Sequence, residues 1–149
     1  LEYIFLGTTL DDAVGEAFDK VAKILGLSYP GGPSIERLAR LGDPKKFDLP
    51  RPLLHHKDAS LKCSFSFSGL KTAVRQEIAK LPFMQEEDCQ DMAASFQTTV
   101  IDILTDRSSN ALEVCLHQGI ALNAFVVAGG VASNQSLREA LQKVCQNFG

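Results

Sequence analysis

The residues of this sequence best suited to chemistry are paired glycines, two carboxylates and one carboxamide, and the chemistry they suit is the holding of a nucleotide. The stretch "FVVAGGVASNQSLREAL" starts at Phe125 as an apolar run, breaks at Gly129 and Gly130, and resumes a helical pattern after Asn134. Paired glycines let backbone N–H groups approach a phosphate or a base, and the following helix offers its positive N-terminal end. Asn134 both donates and accepts hydrogen bonds. The same residues also suit an ordinary strand-to-helix corner with Ser133 or Asn134 as N-cap. "YPGGP" carries the same two readings, since Gly31 and Gly32 either bring the backbone flat against a ligand or merely turn the chain. Glu36 behind them could accept two hydrogen bonds from a sugar diol, but it also stands four residues before Arg40, as a surface helix pair would. Asp19, which shares a helix face with Asp12, Glu16 and Lys23, is either a solvated carboxylate paired with Lys23 or an acceptor for ribose hydroxyls at a cleft.

Other constellations point away from catalysis. His55 and His56 are adjacent, so their side chains diverge, and no carboxylate or thiolate spacing completes a metal site. Ser64, Ser66 and Ser68 share one face of "SFSFSG", but no base lies at triad-like spacing and His117 is the remaining histidine. That hydroxyl row is expected to face a polar cleft or to cap the next helix. Cys63, Cys89, Cys115 and Cys145 are far apart, without a Cys-x-x-Cys pair, and are expected to be reduced and structural.

These groups need elements to position them. Asp11 or Asp12 can cap a helix whose apolar face is Val14, Phe18, Val21 and Leu25, ending near Gly26. Ser34 offers a cap for a short helix ending by Gly42. Residues 43–62 hold three prolines and many charges without periodicity, which predicts an extended surface excursion. The Ser/Phe alternation from Cys63 has the two-residue period of a strand, followed after Ser68 and Gly69 by a helix on Leu70, Val74, Ile78 and Leu81. A long helix is predicted from about Glu87 to His117, stopped by Gly119. Phe125–Ala128 reads as a short strand, and Leu137, Ala140, Leu141 and Val144 face inward on a closing helix. The expected organisation is a strand plus helices with the "YPGGP" corner (1–42), the excursion (43–62), a strand and helices (63–118), and a strand, the "GGVASN" loop and a helix (119–149). The class is helix-rich α/β, and its short strands need partners from further chain.

Composition sets outer limits. With 149 residues, 45% hydrophobic and 22% charged, the chain can bury one moderate core. No run approaches the roughly 20 apolar residues of a membrane span, and no signal-peptide pattern is present, so a cytoplasmic setting is expected. Net charge is −3, but residues 1–75 carry 11 basic against 9 acidic groups, while residues 76–149 carry 4 against 9. This asymmetry falls short of a stand-alone nucleic-acid footprint, so other surfaces would have to supply charge for such a partner. The start at Leu1 in strand-like sequence, without a methionine, suggests a piece of a longer protein.

Taken together, "TLDDAVGEAFDKVAKILGLSYPGGPSIERLA", "FSFSGLKTAV" and "VVAGGVASNQSLR", in this order, resemble the TsaD family of tRNA threonylcarbamoyladenosine synthases, once described as O-sialoglycoprotein endopeptidases. The resemblance runs over essentially the whole chain. It implies the two-lobed fold shared by actin, sugar kinases and the Hsp70 ATPase, here truncated at both ends. It also implies that Asp19 and Glu36 meet the ribose of an adenylate, that Gly32 lies close to it, and that Asn134 contacts it from the loop whose backbone is Gly129 and Gly130. The family reaction moves a threonylcarbamoyl group from threonylcarbamoyl-AMP to N6 of the adenosine 3′ of the anticodon. By resemblance the parent binds one divalent metal ion (iron or zinc) and threonylcarbamoyl-AMP or ATP/ADP, and works on tRNA with a paralogous TsaB-like subunit and a TsaE-like ATPase. The family's His-x-x-x-His and Asp-Asn-Gly metal motifs do not occur in these residues, so the piece alone is expected to be inactive. A non-catalytic scaffold derived from the same fold is the alternative.

Overall fold

A computed structural model describes residues 2–149 as five α-helices with irregular connections. In chain order they are α1 (Val14–Ile24), α2 (Gly31–Ala39), α3 (Ser68–Ala79), α4 (Glu86–His117) and α5 (Gln135–Asn147), with 3₁₀ turns at Ala59–Leu61 and Gly130–Ser133. The 32-residue α4 is the central post. Helices α1 and α2 pack together and α2 lies along α4, with α3 and α5 on its flanks. Phe18 of α1 meets Phe96 of α4 edge-on, ring centres 5.1 Å apart, and Val21, Ile35, Leu70, Met92 and Ile103 are fully buried around that contact.

From Asp91 to Val100, α4 is buried nearly all round, which its buried polar residues Asp91, Ser95, Gln97 and Thr99 tolerate because each has a partner. Asp91 accepts the Asp43 N–H at 2.7 Å, and the Ser95 hydroxyl accepts the Phe47 N–H at 3.2 Å. The Thr99 hydroxyl donates to the Ser95 carbonyl, while Gln97 reaches α5.

Residues 43–62 run mostly over the surface, with one 3₁₀ turn at Ala59–Leu61, and are anchored at a few points. Phe47 and Leu49 are buried in the core, and Arg107 of α4, itself 3% exposed, donates to the carbonyls of Leu53, Leu61 and Lys62. The segment is a strap laced to α4 by polar pairs, which periodicity does not register.

Among the described residues no strand forms. The expected Ser/Phe strand is reduced to one parallel bridge between Phe65 and Thr9, closed by Leu10 N–H to Phe65 carbonyl and Phe65 N–H to Thr8 carbonyl bonds. The expected strand at the start of the chain (Leu1 itself lies outside the described residues) and that at Phe125–Ala128 are unpaired. The physical reason is that a strand exists only through a neighbour's ladder of hydrogen bonds, and these segments have none here. Their apolar side chains stand in solvent, with Tyr3 85% and Val126 83% exposed.

Two expected caps also move. The residue before α1 is Ala13, with no side-chain cap. Asp11 instead reaches 56 residues along the chain to the N–H groups of Phe67 and Ser68, at 2.8 and 3.0 Å, and so caps α3. Helix α2 starts at Gly31, three residues before Ser34. Ser34 is buried inside it and donates to the Ser28 carbonyl at 2.8 Å.

Candidate functional site

The N-terminal ends of three helices converge on one cleft of about 530 Å³. Val14 and Gly15 open α1, Gly32 and Pro33 lie in the first turn of α2, and Gly129–Val131, Ser133 and Asn134 lead into α5; Phe18, Asp19 and Glu36 also line the cleft. The converging ends carry N–H groups that have no partner within their own helix, and a partial positive charge. Asp19 and Glu36 set two carboxylates among them.

Each carboxylate is held by one oxygen. Asp19 Oδ1 accepts the Gly31 N–H at 2.9 Å, capping α2. Gly31 is glycine because a Cβ there would lie 2.7 Å from the Asp19 Cα and 2.8 Å from the Phe18 carbonyl oxygen. The corner thus brings α2 flush against α1, and Gly32, beside it, faces open space in the cleft. Glu36 Oε1 accepts the Gln135 N–H at 2.8 Å and lies 3.7 Å from Arg40. The expected Glu36–Arg40 pair is therefore present but long. Asp19 makes no ion pair with Lys23; Lys20 is the lysine used on that helix, at 2.6 Å from Asp12 and 3.1 Å from Glu16. Oδ2 of Asp19 and Oε2 of Glu36 make no hydrogen bond among the described residues.

The "GGVASN" loop is a tight corner. Gly129 has φ 96, a backbone state that disfavours side chains, and Gly130–Ser133 wind a 3₁₀ turn. Asn134, 6% exposed, is the N-cap of α5, with Oδ1 accepting the Leu137 N–H at 2.9 Å. Its Nδ2 donates to Gln97 Oε1 at 2.8 Å. Val131 approaches Gly15 at the head of α1, so Val14 and Val131 supply an apolar wall. The six residues that the resemblance assigns to the nucleotide, Asp19, Gly32, Glu36, Gly129, Gly130 and Asn134, line this one cleft.

The tRNA N6-adenosine threonylcarbamoyltransferase (TsaD) family profile matches residues 1–149. The chain belongs to this family. A TsaD relative from Rhodospirillum rubrum is 56% identical over 143 residues, covering 95% of this chain and 38% of the relative. One from Afipia carboxidovorans is 53% identical over 143 residues, with 96% and 39% covered. One from Brucella anthropi is 51% identical over 150 residues, with 99% and 41% covered. The chain thus spans about two fifths of the length of these curated TsaD relatives.

Among the described residues of this TsaD chain, no three His, Cys, Asp or Glu side chains are grouped to hold a metal ion. His56 instead accepts the Asp58 N–H on its Nδ1 at 3.1 Å. The cysteines are free, and burial pushes the Cys63 and Cys89 thiols up from their ordinary pKa. No described helix is long and apolar enough to cross a membrane. The serine row is absorbed into structure: the Ser66 and Ser68 hydroxyls donate to Asp11 at 2.6 and 3.0 Å. Partial burial raises the Asp11 carboxyl, but these hydroxyls and the two backbone N–H groups outweigh it and bring the pKa down to about 2.

Sequence reasoning missed Gln97 and Arg107, and it assigned Asp11 to the wrong helix. The signal available for Gln97 was a polar residue inside the small-residue run "AASFQTTV" of α4, flanked by Phe96 and Val100. A polar side chain in a helix buried on all sides needs a partner.

Proposed function

We propose that this chain is a segment of a TsaD transferase and that its cleft holds the adenylate half of threonylcarbamoyl-AMP. The observation that carries this reading is the convergence of Asp19, Gly32, Glu36 and Asn134 on one cleft between helix N-termini. The free oxygens of Asp19 and Glu36 accept the two ribose hydroxyls. The glycine-lined mouth at Gly129 and Gly130 lets the nucleotide approach the backbone, and the Val14–Val131 wall covers an apolar face. These contacts fix direction: they keep the carbamoyl carbon turned outward for the N6 amine of a tRNA adenosine. The amine forms a C–N bond, the bond from the carbamoyl carbon to the phosphate oxygen breaks, AMP leaves, and the amine gives up its proton.

Within this reading the parent works in the cytoplasm on tRNA, with a TsaB-like subunit and a TsaE-like ATPase, in the two-lobed actin-like fold. The residues present here do not fit the family's iron or zinc ion, so no step is routed through it. The exposed apolar segments around Tyr3 and Val126 are suited to pairing with sheet strands of the remaining parent chain.

Calorimetric titration of the full-length protein with AMP tests the reading. The expected result is saturable binding, weakened about tenfold by removal of either carboxylate's free oxygen in Asp19→Asn or Glu36→Gln. Equal binding by both variants and the unaltered protein sinks the assignment and favours the scaffold reading.

A further inference from the structure

We propose that Gln97 is a positioning residue, which sets the orientation of the Asn134 carboxamide and through it the hydrogen-bonding face that the cleft presents to a ligand. The Leu137 backbone N–H can only donate, and it points at the Asn134 side chain at 2.9 Å. That end of the carboxamide must therefore be the oxygen, and the other end must be the NH₂ group. The NH₂ group faces Gln97 at 2.8 Å, so Gln97 must present its own oxygen. The chain Leu137 N–H to Asn134 to Gln97 has a single self-consistent assignment.

Both side chains are buried, Asn134 at 6% and Gln97 at 8% exposure, so water does not replace a lost partner freely. Helix capping alone holds the oxygen of Asn134 and leaves the plane of its amide free to swing. The bond to α4 removes that freedom. After both bonds are made, the carboxamide keeps one N–H and one lone pair, in a fixed plane at the wall of the cleft. Gln97 itself is not among the residues lining the cleft, so it acts through Asn134.

The orienting role stands on geometry alone; its consequence for a ligand rests on the adenylate reading above. Two variants separate the claims. Gln97→Met keeps the side-chain length and removes the acceptor, whereas Gln97→Glu keeps an acceptor oxygen. In the full-length protein with ¹⁵N-labelled asparagine side chains, Gln97→Met is expected to shift the Asn134 NH₂ resonance and speed its hydrogen exchange at least tenfold. Gln97→Glu is expected to retain the protection. An Asn134 signal unchanged by Gln97→Met overturns the proposal whether or not any nucleotide binds. Titrated with AMP, Gln97→Met is expected to bind about tenfold more weakly than the unaltered protein, and Gln97→Glu at least fivefold more tightly than Gln97→Met, whatever the order of their melting temperatures. Should Gln97→Met bind AMP as tightly as Gln97→Glu or more tightly, Gln97 is a packing residue and the proposal fails. Absence of AMP binding by the unaltered protein counts against the adenylate reading, and the NMR arm still decides the role of Gln97.

Discussion

The carboxylate of Glu36, in α2, accepts the backbone N–H of Gln135, the first residue of α5, at 2.8 Å across 99 residues of sequence. One side chain thereby caps a distant helix and lines the cleft at the same time. Substitution by Ala removes both functions, while Gln keeps an acceptor for the Gln135 N–H. Glu36→Ala is expected to cost about 1 kcal/mol of stability in urea denaturation, with Glu36→Gln costing less than half as much. Equal losses would show that charge, not capping, dominates at this position.

The two glycines of "YPGGP" are predicted to behave oppositely. A methyl group at Gly31 would meet Asp19, Ala22 and Phe18 at 2.7 to 2.8 Å, mostly against backbone, so Gly31→Ala should destabilise by roughly 1–3 kcal/mol. Gly32 has nothing within 4 Å, and Ala is the better helix former, so Gly32→Ala should leave the protein as stable or slightly more so. Because Gly32 lines the cleft, the same variant should weaken AMP binding. Paired melting curves and titrations check both halves.

Arg107 is the latch of the strap. Its guanidinium binds the carbonyls of Leu53, Leu61 and Lys62 and lies 2.8 Å from Asp106. Leu53 has φ 66, a left-handed conformation that leucine adopts only when its surroundings impose it. Arg107→Met removes these hydrogen bonds and leaves each carbonyl only its second donor, the His56 N–H for Leu53, the Ser64 N–H for Leu61 and the Asn110 carboxamide for Lys62, and a loss of about 1–3 kcal/mol is expected. Limited trypsin digestion should then cut at Lys57 faster than in the unaltered protein. A strap that stays protected would show that Phe47 and Leu49 suffice to hold it.

Asp11 predicts an acid-sensitive step. Its native pKa of about 2 lies below the ordinary 3.8, so the unfolded chain binds the proton more readily. The stabilisation is therefore complete above about pH 4 and disappears as the pH falls towards 2. Because Asp11 is largely exposed, its contribution is about 1 kcal/mol rather than the full value implied by the shift. Asp11→Asn should flatten the stability profile between pH 4 and 2 and leave its slope above pH 5 unchanged, as chemical denaturation at each pH would report.

Much of the helical framework was legible in the sequence. Val14, Phe18 and Val21 recur at helical spacing on α1, and Leu70 and Val74 do so on α3. The predicted long helix from Glu87 is α4 with one more residue. Strands were not legible in the same way. The Ser/Phe alternation and the Phe125–Ala128 run are strand-like in composition, yet a strand's hydrogen bonds are made with other chain segments, and only Thr9 meets Phe65 here.

The sequence by itself determined which residue types stand at helical spacing, where glycines permit close approach, and which carboxylates and amides are available. These follow from side-chain shape and local backbone preference. Only the tertiary structure decided that Asp19 spends one oxygen on Gly31, that Glu36 spends one on Gln135, and that Asn134 is turned by Gln97. Hydrogen bonds across 12, 99 and 37 residues depend on how whole helices are set against one another. That packing follows from burial of the core, a non-directional effect with no local signature in the residues it brings together.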